Sequence, residues 1–214
     1  MNAAALDRLL RGEGEFAAGL GAVPWSRLVA IVAAFGALHG AAIGSFGARG
    51  EQEVYAAVKL PILIAGSTAL CLSSFYALNA VFGLRDDFSA ALRGVLSAQA
   101  TVALVLATLA PIVLLCYVSG IGYRGAMLAN GLAYCVASLC GQRTLARHYR
   151  PLIARNRRHR IGLAAWLALY WFVTIQLAWC LRPFVGAPSI ETSFLRPNAW
   201  SNAYVVLARA FLGL

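Results

Sequence analysis

His39 is the one residue inside a strongly apolar stretch whose side chain could bind a cofactor or move a proton. It lies in LVAIVAAFGALHGAAIGSFGA, the run from Leu28 to Ala48. An imidazole there could be an axial ligand of haem or chlorin, a member of a proton relay, or a packed side chain bonded to a neighbouring helix. The sequence offers no second ligand, so the packed histidine is the favoured interpretation and no cofactor is expected.

Three glycines surround this histidine at a regular spacing. Gly36, Gly40 and Gly44 recur every four residues, which places them on one face of a helix. Such a face lets another helix backbone approach closely within a membrane. The motif therefore predicts tight helix packing, either with another helix of this chain or with a second copy.

The most basic stretch is 141–160, which has no acid among its twenty residues and two histidines. Arg143, Arg147 and Arg150 share one helical face, and Pro151 is expected to break the helix. The favoured interpretation is an orientation signal that contacts anionic headgroups, with an acidic cytoplasmic partner as the alternative. Nucleic acid is not expected, because only Tyr149 interrupts the charges as a stacking platform. The seven arginines are Arg143, Arg147, Arg150, Arg155, Arg157, Arg158 and Arg160.

A second group of candidate residues follows this basic stretch. Trp166 and Tyr170 are four residues apart, which predicts an aromatic face directed to lipid or to a partner. Arg182 and Arg196 are predicted to contact lipid or a partner as well, and Glu191 between them could form an ion pair with either. Pro183 is expected to end the helix that carries the aromatic residues.

The sequence contains no recognisable catalytic constellation. There is no carboxylate pair, no nucleophile with a base and no phosphate-binding glycine loop. The apolar stretches contain no acid, which argues against proton or sodium coupling. Lys59 is expected to extend to the membrane surface, and four polar side chains are expected to bond between helices: Asn79, Gln99, Asn130 and Gln176.

The elements that position these residues are predicted to be membrane helices. The chain is 61% hydrophobic and 12% charged, with a mean hydropathy of +0.72, whereas soluble domains are about 25% charged. The predicted fold class is therefore all-α. The chain is predicted to be a polytopic membrane protein with five transmembrane helices in 25–187. Residues 1–24 are predicted to be an amphipathic interfacial segment, and 188–214 an interfacial or re-entrant tail. The five stretches are 28–48, 58–83, 95–119, 126–140 and 161–181.

Charge asymmetry predicts the orientation. Cytoplasmic loops of membrane proteins collect Lys and Arg, so 141–160 is expected to be a cytoplasmic loop. The N-terminus is then cytoplasmic and the C-terminus lies outside. The chain has a net charge of +10, from 17 arginines and one lysine against eight acids. This preference for arginine favours a bacterial inner membrane as the location.

Five spans with a cytoplasmic N-terminus, a proline in the second span and the stretch FGLRDDFSAALRGVLSAQA resemble the Yip1-type membrane proteins. The resemblance covers roughly residues 28–181. It implies a membrane adaptor without catalytic activity.

The expected function is therefore a non-catalytic membrane scaffold or accessory subunit. It would pack through the face of Gly36, Gly40 and Gly44 against other membrane subunits or against a second copy. A small oligomeric channel or uncoupled carrier is the first alternative. A subunit that holds a cofactor on His39 is the second.

Overall fold

A computed structural model describes residues 24–187, 190–196 and 199–206. Five long α-helices follow one another, joined by short turns, and the described part of the chain contains no strand. This confirms the all-α fold class. The predicted N-terminal interfacial segment lies outside the described residues except for Pro24. The helices are α1 (Trp25–Gly44), α2 (Gly50–Val81), α3 (Phe88–Val118), α4 (Tyr123–Arg155) and α5 (His159–Leu181).

Four of these helices, α1, α2, α3 and α5, are long and apolar enough to cross a membrane. Helix α4 has 33 residues but contains more polar and charged side chains, so its composition alone does not mark it as a span. A membrane favours helices because each helix satisfies its own backbone hydrogen bonds. Each helix overlaps one of the five predicted stretches. Pro61 and Pro111 do not interrupt α2 and α3.

The break expected at Pro151 was wrong, because α4 continues past it to Arg155 and α5 begins at His159. The location of 141–160 on the cytoplasmic side stays a prediction. The helix continues because its inner face is packed. His148, Tyr149 and Leu152 are all buried. The seven predicted arginines are exposed, six along the outer side of this helix end and the turn and one at the start of α5.

Close approaches at glycines hold the helices together in two places. Gly40 and Gly44 lie directly against the backbone of α2. A Cβ atom at Gly44 would be 2.6 Å from Cα of Glu53, and one at Gly40 would overlap the carbonyl oxygen of Ala56. The structure therefore places the glycine face against α2 of the same chain. A second approach, absent from the sequence analysis, joins α3 to α4 where Gly141 faces Ala98.

The helices form an arc in the order α5, α2, α1, α3, α4, in which each packs mainly on its neighbours. The two ends of the arc, α4 and α5, pack only loosely on each other. Helices α1, α3 and α5 run from one end of the bundle to the other, and α2 and α4 return. We call the end that contains the turn 156–158 the arginine end, and the opposite end, which contains Arg182, the groove end.

The predicted outward aromatic face of α5 points inward instead. Trp166 is 1% exposed. Its ring packs edge-on against Phe75 of α2, with 4.7 Å between centroids, and stacks with Tyr170 at 5.7 Å. The Tyr170 hydroxyl donates a hydrogen bond to Gln99 of α3 at 2.9 Å. The spacing of aromatic residues does not show whether a helix face points into the bundle or toward lipid, because both surfaces are similarly apolar.

The C-terminal segment after α5 folds back onto the bundle. Helix α5 ends at Leu181, as predicted from Pro183, and residues 199–206 then run back along α5. Gln176 accepts a hydrogen bond from the backbone N–H of Ala203 at 3.0 Å, and the ring of Tyr204 stacks on Phe172 at 4.6 Å. Only 203–206 are helical in the described part of this segment.

Candidate functional site

A groove of about 600 Å³ opens at the groove end of the bundle, between α4 and α5. Its floor includes Leu60 and Leu63 of α2, and its walls come from the first turns of α4 and the last turns of α5. The lining is predominantly apolar, and the described residues that form it include no acid. Pockets of about 300–1,000 Å³ are the usual size for binding small molecules.

Two arginines from the C-terminal segment, Arg182 and Arg196, line this groove. The guanidinium of Arg182 stacks on the ring of Trp179, with 3.4 Å from Cζ to the ring centroid. Burial lowers the pKa of Arg182, and the positive charge of Arg196 lowers it further. Arginine nevertheless stays protonated in proteins. The groove lining therefore contains two like charges, an arrangement that an anion would stabilise.

Arg196 leaves one polar atom without a partner. Its Nε is buried and makes no hydrogen bond to the described residues. Glu191 lies near Arg196 around a smaller neighbouring pocket, but the described part of the chain shows no ion pair between them. The ion pair predicted between Glu191 and Arg196 is therefore absent from the described part of the chain.

Polar contacts from α2 fix the backbone that carries these arginines. Gln52 donates through Nε2 to the carbonyl oxygens of Pro183 and Phe184, at 3.0 and 2.8 Å. Lys59 donates to the Pro183 oxygen at 2.8 Å, and its Nζ lies 5.0 Å from the centre of the Phe194 ring. The expectation that Lys59 reaches the surface was wrong, since its side chain is 0% exposed.

Asn130, another residue of the groove lining, also has an unsatisfied polar atom. Asn130 of α4 donates through Nδ2 to the hydroxyl of Tyr117 and to the carbonyl of Ala126, but its Oδ1 is buried without a partner among the described residues. Buried polar atoms in proteins are nearly always hydrogen-bonded. Asn130 and Arg196 thus offer an acceptor and a donor to whatever occupies the groove, whether water or a ligand.

A smaller cavity of about 40 Å³ lies deeper in the bundle, among α3, α4 and α5. The hydrogen-bonded pair of Gln99 and Tyr170 forms part of its wall, together with Ser138 and Gln142 of α4. This volume has room for about three water molecules. The sequence prediction of an interhelical bond by Gln99 is confirmed.

The arginine end has a separate polar cluster around Asp87. The imidazole of His159 is fully buried, and its Nε2 lies 3.0 Å from Oδ2 of Asp87. Arg155 approaches the other carboxylate oxygen at 3.8 Å. This cluster ties the start of α3 to the turn between α4 and α5. Arg143, Arg147 and Arg150, which share one face of α4, are exposed and do not belong to this cluster.

His39 is packed between helices, away from the groove. Its side chain is 1% exposed, neither ring nitrogen has a hydrogen-bond partner in the described part of the chain, and neither cavity above includes it. Within the residues described, no group of three or more His, Cys, Asp or Glu could hold a metal. The expectation that His39 is a packed side chain without a cofactor, and the alternative of haem or chlorin ligation, both stay predictions.

Asn130 was predicted to bond between helices, but the polar row of α4 to which it belongs was not predicted. Asn130, Tyr134, Ser138 and Gln142 are spaced four apart, so they form a polar row along one helix face. Their periodicity was readable from the sequence. The sequence did not reveal that all four residues of this row line the cavities between α4 and α5.

No protein-family model matches the chain, and no curated protein or solved structure matches it. The resemblance to the Yip1-type proteins therefore stays a prediction.

Proposed function

We propose that the protein is a five-span integral membrane protein, with the arginine end in the cytoplasm, that binds an anionic membrane lipid in the groove. The location would be a bacterial inner membrane. Two arginines in the lining of an otherwise predominantly apolar groove are the observation that carries this proposal. The phosphate would contact Arg182 and Arg196, and a hydrocarbon chain would lie against the apolar lining.

The direction of the chain supports a fifth span by α4. Helix α3 ends at the groove end, and α5 begins at the arginine end, where His159 contacts Asp87. Because α4 connects these two ends, it must cross wherever α3 and α5 cross. Its outer face also suits lipid, since Leu128, Leu132 and Leu139 are all more than half exposed.

The positive charge at the arginine end supports the cytoplasmic assignment. The exposed arginines of 143–160 lie there, together with Arg27 at the start of α1 and Arg85 before α3. Basic residues near a membrane favour the cytoplasmic side and attract anionic lipid, by about 1 kcal/mol per residue. These arginines would orient the protein and contact headgroups of the inner leaflet.

A phosphate lipid fits the groove better than a neutral one. The lining presents arginine donors, which are suited to bidentate phosphate contacts, and a buried donor atom without a partner at Arg196. A soluble anion would leave the apolar walls in contact with water, whereas a lipid chain would cover them. No catalytic role is required of any residue in this arrangement.

The scaffold function predicted from the glycine face has less support. Gly40 and Gly44 pack against α2, and Trp166 packs inside the bundle. These surfaces are therefore occupied within one chain. Association with other membrane subunits through different surfaces stays a prediction.

The test is native mass spectrometry of the full-length protein in nanodiscs that contain phosphatidylglycerol and phosphatidylcholine. Wild-type protein should retain phosphatidylglycerol, and the double variant Arg182→Gln with Arg196→Gln should lose it. Arg124→Gln is the matched control, because Arg124 is an exposed arginine at the same end and does not line the groove. Equal retention by the double variant and the control would refute the binding site.

A further inference from the structure

The groove continues from the groove end toward the arginine end as a crevice between α4 and α5. It shares Tyr134, Trp171 and Thr174 with the smaller cavity. Together the two cavities are lined by α4 from Tyr123 to Leu145. This distance is about 33 Å at the helical rise of 1.5 Å per residue, and the hydrocarbon core of a bilayer is about 30 Å thick. The crevice is therefore as long as the membrane is thick.

The polar row of α4 follows this crevice. Asn130 lines the groove, Tyr134 lines both cavities, and Ser138 and Gln142 line the smaller one. All four residues are partly exposed, although Asn130 also donates a hydrogen bond to Tyr117 of α3 and Tyr134 also packs on the hydrophobic core. Polar side chains inside a membrane commonly mark the path of a polar solute. Here the row provides hydrogen-bonding groups at every turn of the helix.

Arginines lie at both ends of the row. Arg182 and Arg196 line the groove end. At the other end Arg143 follows Gln142 directly, and Arg147 is exposed one turn further on. A phosphate group would thus meet arginines on entering the crevice at the groove end, whereas the arginines near the other end lie on the outer side of α4 and line neither cavity.

We propose that the crevice conducts the phosphate headgroup of a lipid between the two leaflets while the hydrocarbon chains stay in the surrounding bilayer. This inference rests on the proposed lipid-binding function. The lipid moves down its own concentration gradient, and the described lining residues include no acid that would couple the movement to protons or sodium.

The packing allows the opening that this movement needs. The smaller cavity has room for about three water molecules, so a headgroup passes only when α4 separates from α5. These two helices pack loosely on each other, whereas α4 is packed on α3 and α5 on α2. Separation at the crevice therefore leaves the main helix contacts intact.

The test uses full-length protein in liposomes of phosphatidylcholine and phosphatidylglycerol that contain phosphatidylglycerol with a fluorophore on one chain. Dithionite added outside the liposomes bleaches only the labelled lipid in the outer leaflet, unless the protein moves labelled lipid from the inner leaflet to the outer one. Wild-type protein should allow bleaching of the inner leaflet as well. The double variant Ser138→Leu with Gln142→Leu should slow this phase roughly tenfold, equivalent to about 1.4 kcal/mol in the barrier.

The control is Cys135→Leu, because Cys135 is an exposed residue of α4 that lines neither cavity. It should transfer lipid at the wild-type rate. If the double variant fails to fold, Gln142→Leu alone replaces it and should still slow transfer. Unchanged transfer in a folded variant would overturn the assigned path.

Native mass spectrometry on the same samples separates the two proposals. If wild-type protein retains phosphatidylglycerol but bleaching stops at the outer leaflet, conduction is refuted and the binding site stands. If wild-type protein retains no phosphatidylglycerol, the proposed binding function fails first.

Discussion

Gly40 of α1 lies so close to Ala56 of α2 that a Cβ atom at position 40 would overlap the Ala56 carbonyl oxygen. The atoms that would have to move belong to the backbone of a helix, which yields far less readily than a side chain. This contact sets the distance between α1 and α2. It also holds α2 where Gln52 and Lys59 bind the C-terminal segment, so helix packing and groove geometry are linked.

Gly40→Ala should therefore destabilise the protein by about 1–3 kcal/mol, the usual effect of an overpacked methyl group. The measurement is the temperature at which the detergent-solubilised protein loses its monodisperse elution peak. Gly50→Ala is the control, because nothing lies within 4 Å of a Cβ atom there. Equal melting temperatures for the two variants would contradict the close approach.

Trp166→Ala should reduce stability by about 3–5 kcal/mol, as expected when a large buried aromatic residue leaves a cavity. The indole contacts Phe75 and Tyr170 in the core near the arginine end. Trp200→Ala should be nearly neutral, since Trp200 is 84% exposed. The same thermal assay compares them. A neutral Trp166→Ala would mean that the aromatic face is directed outward after all.

Asp87→Asn should weaken the attachment of α3 to the turn between α4 and α5. It replaces the carboxylate that lies 3.0 Å from the buried His159 imidazole, and hydrogen bonds to charged groups contribute about 1.5–3 kcal/mol. We expect the free energy of unfolding to fall by an amount near the lower end of this range, because the Asp87 side chain is 29% exposed. The readout is the thermal midpoint in detergent. The neighbouring exposed residue supplies the control Asp86→Asn, which should leave the midpoint unchanged.

The fifth span can be tested by labelling single cysteines in a variant that lacks the five native ones. Ser119→Cys reports the turn before α4, and Arg157→Cys the turn after it. A membrane-impermeant maleimide added to intact cells should label position 119 directly and position 157 only after permeabilisation. Labelling of both positions from the same side would show that α4 does not cross.

Much of the fold was predictable because helix formation in an apolar medium depends on local sequence. A long apolar run has to satisfy its backbone within itself, so each predicted stretch corresponds to a helix. The end of α5 before Pro183 was also predictable, since proline lacks the N–H that continues a helix. The tight packing expected at Gly40 is present in the structure.

The relations between distant residues were not predictable. Trp166 points inward because Phe75 and Gln99 are there to receive the aromatic pair. Lys59 is buried because a segment more than 120 residues later brings a carbonyl oxygen to it. The sequence around Trp166 or Lys59 does not indicate which distant residues will contact them.

The sequence by itself determined the helices, the glycine face, the exposed arginines and the periodic polar row of α4. Only the tertiary structure decided that the row lines a crevice along α5 and that Arg182 and Arg196 both line its groove end. The reason is that inner and lipid-facing surfaces in a membrane are similarly apolar, so hydrophobicity does not specify which helix faces which. Shape, close backbone contacts and a few polar bonds specify it, and these form only between folded elements.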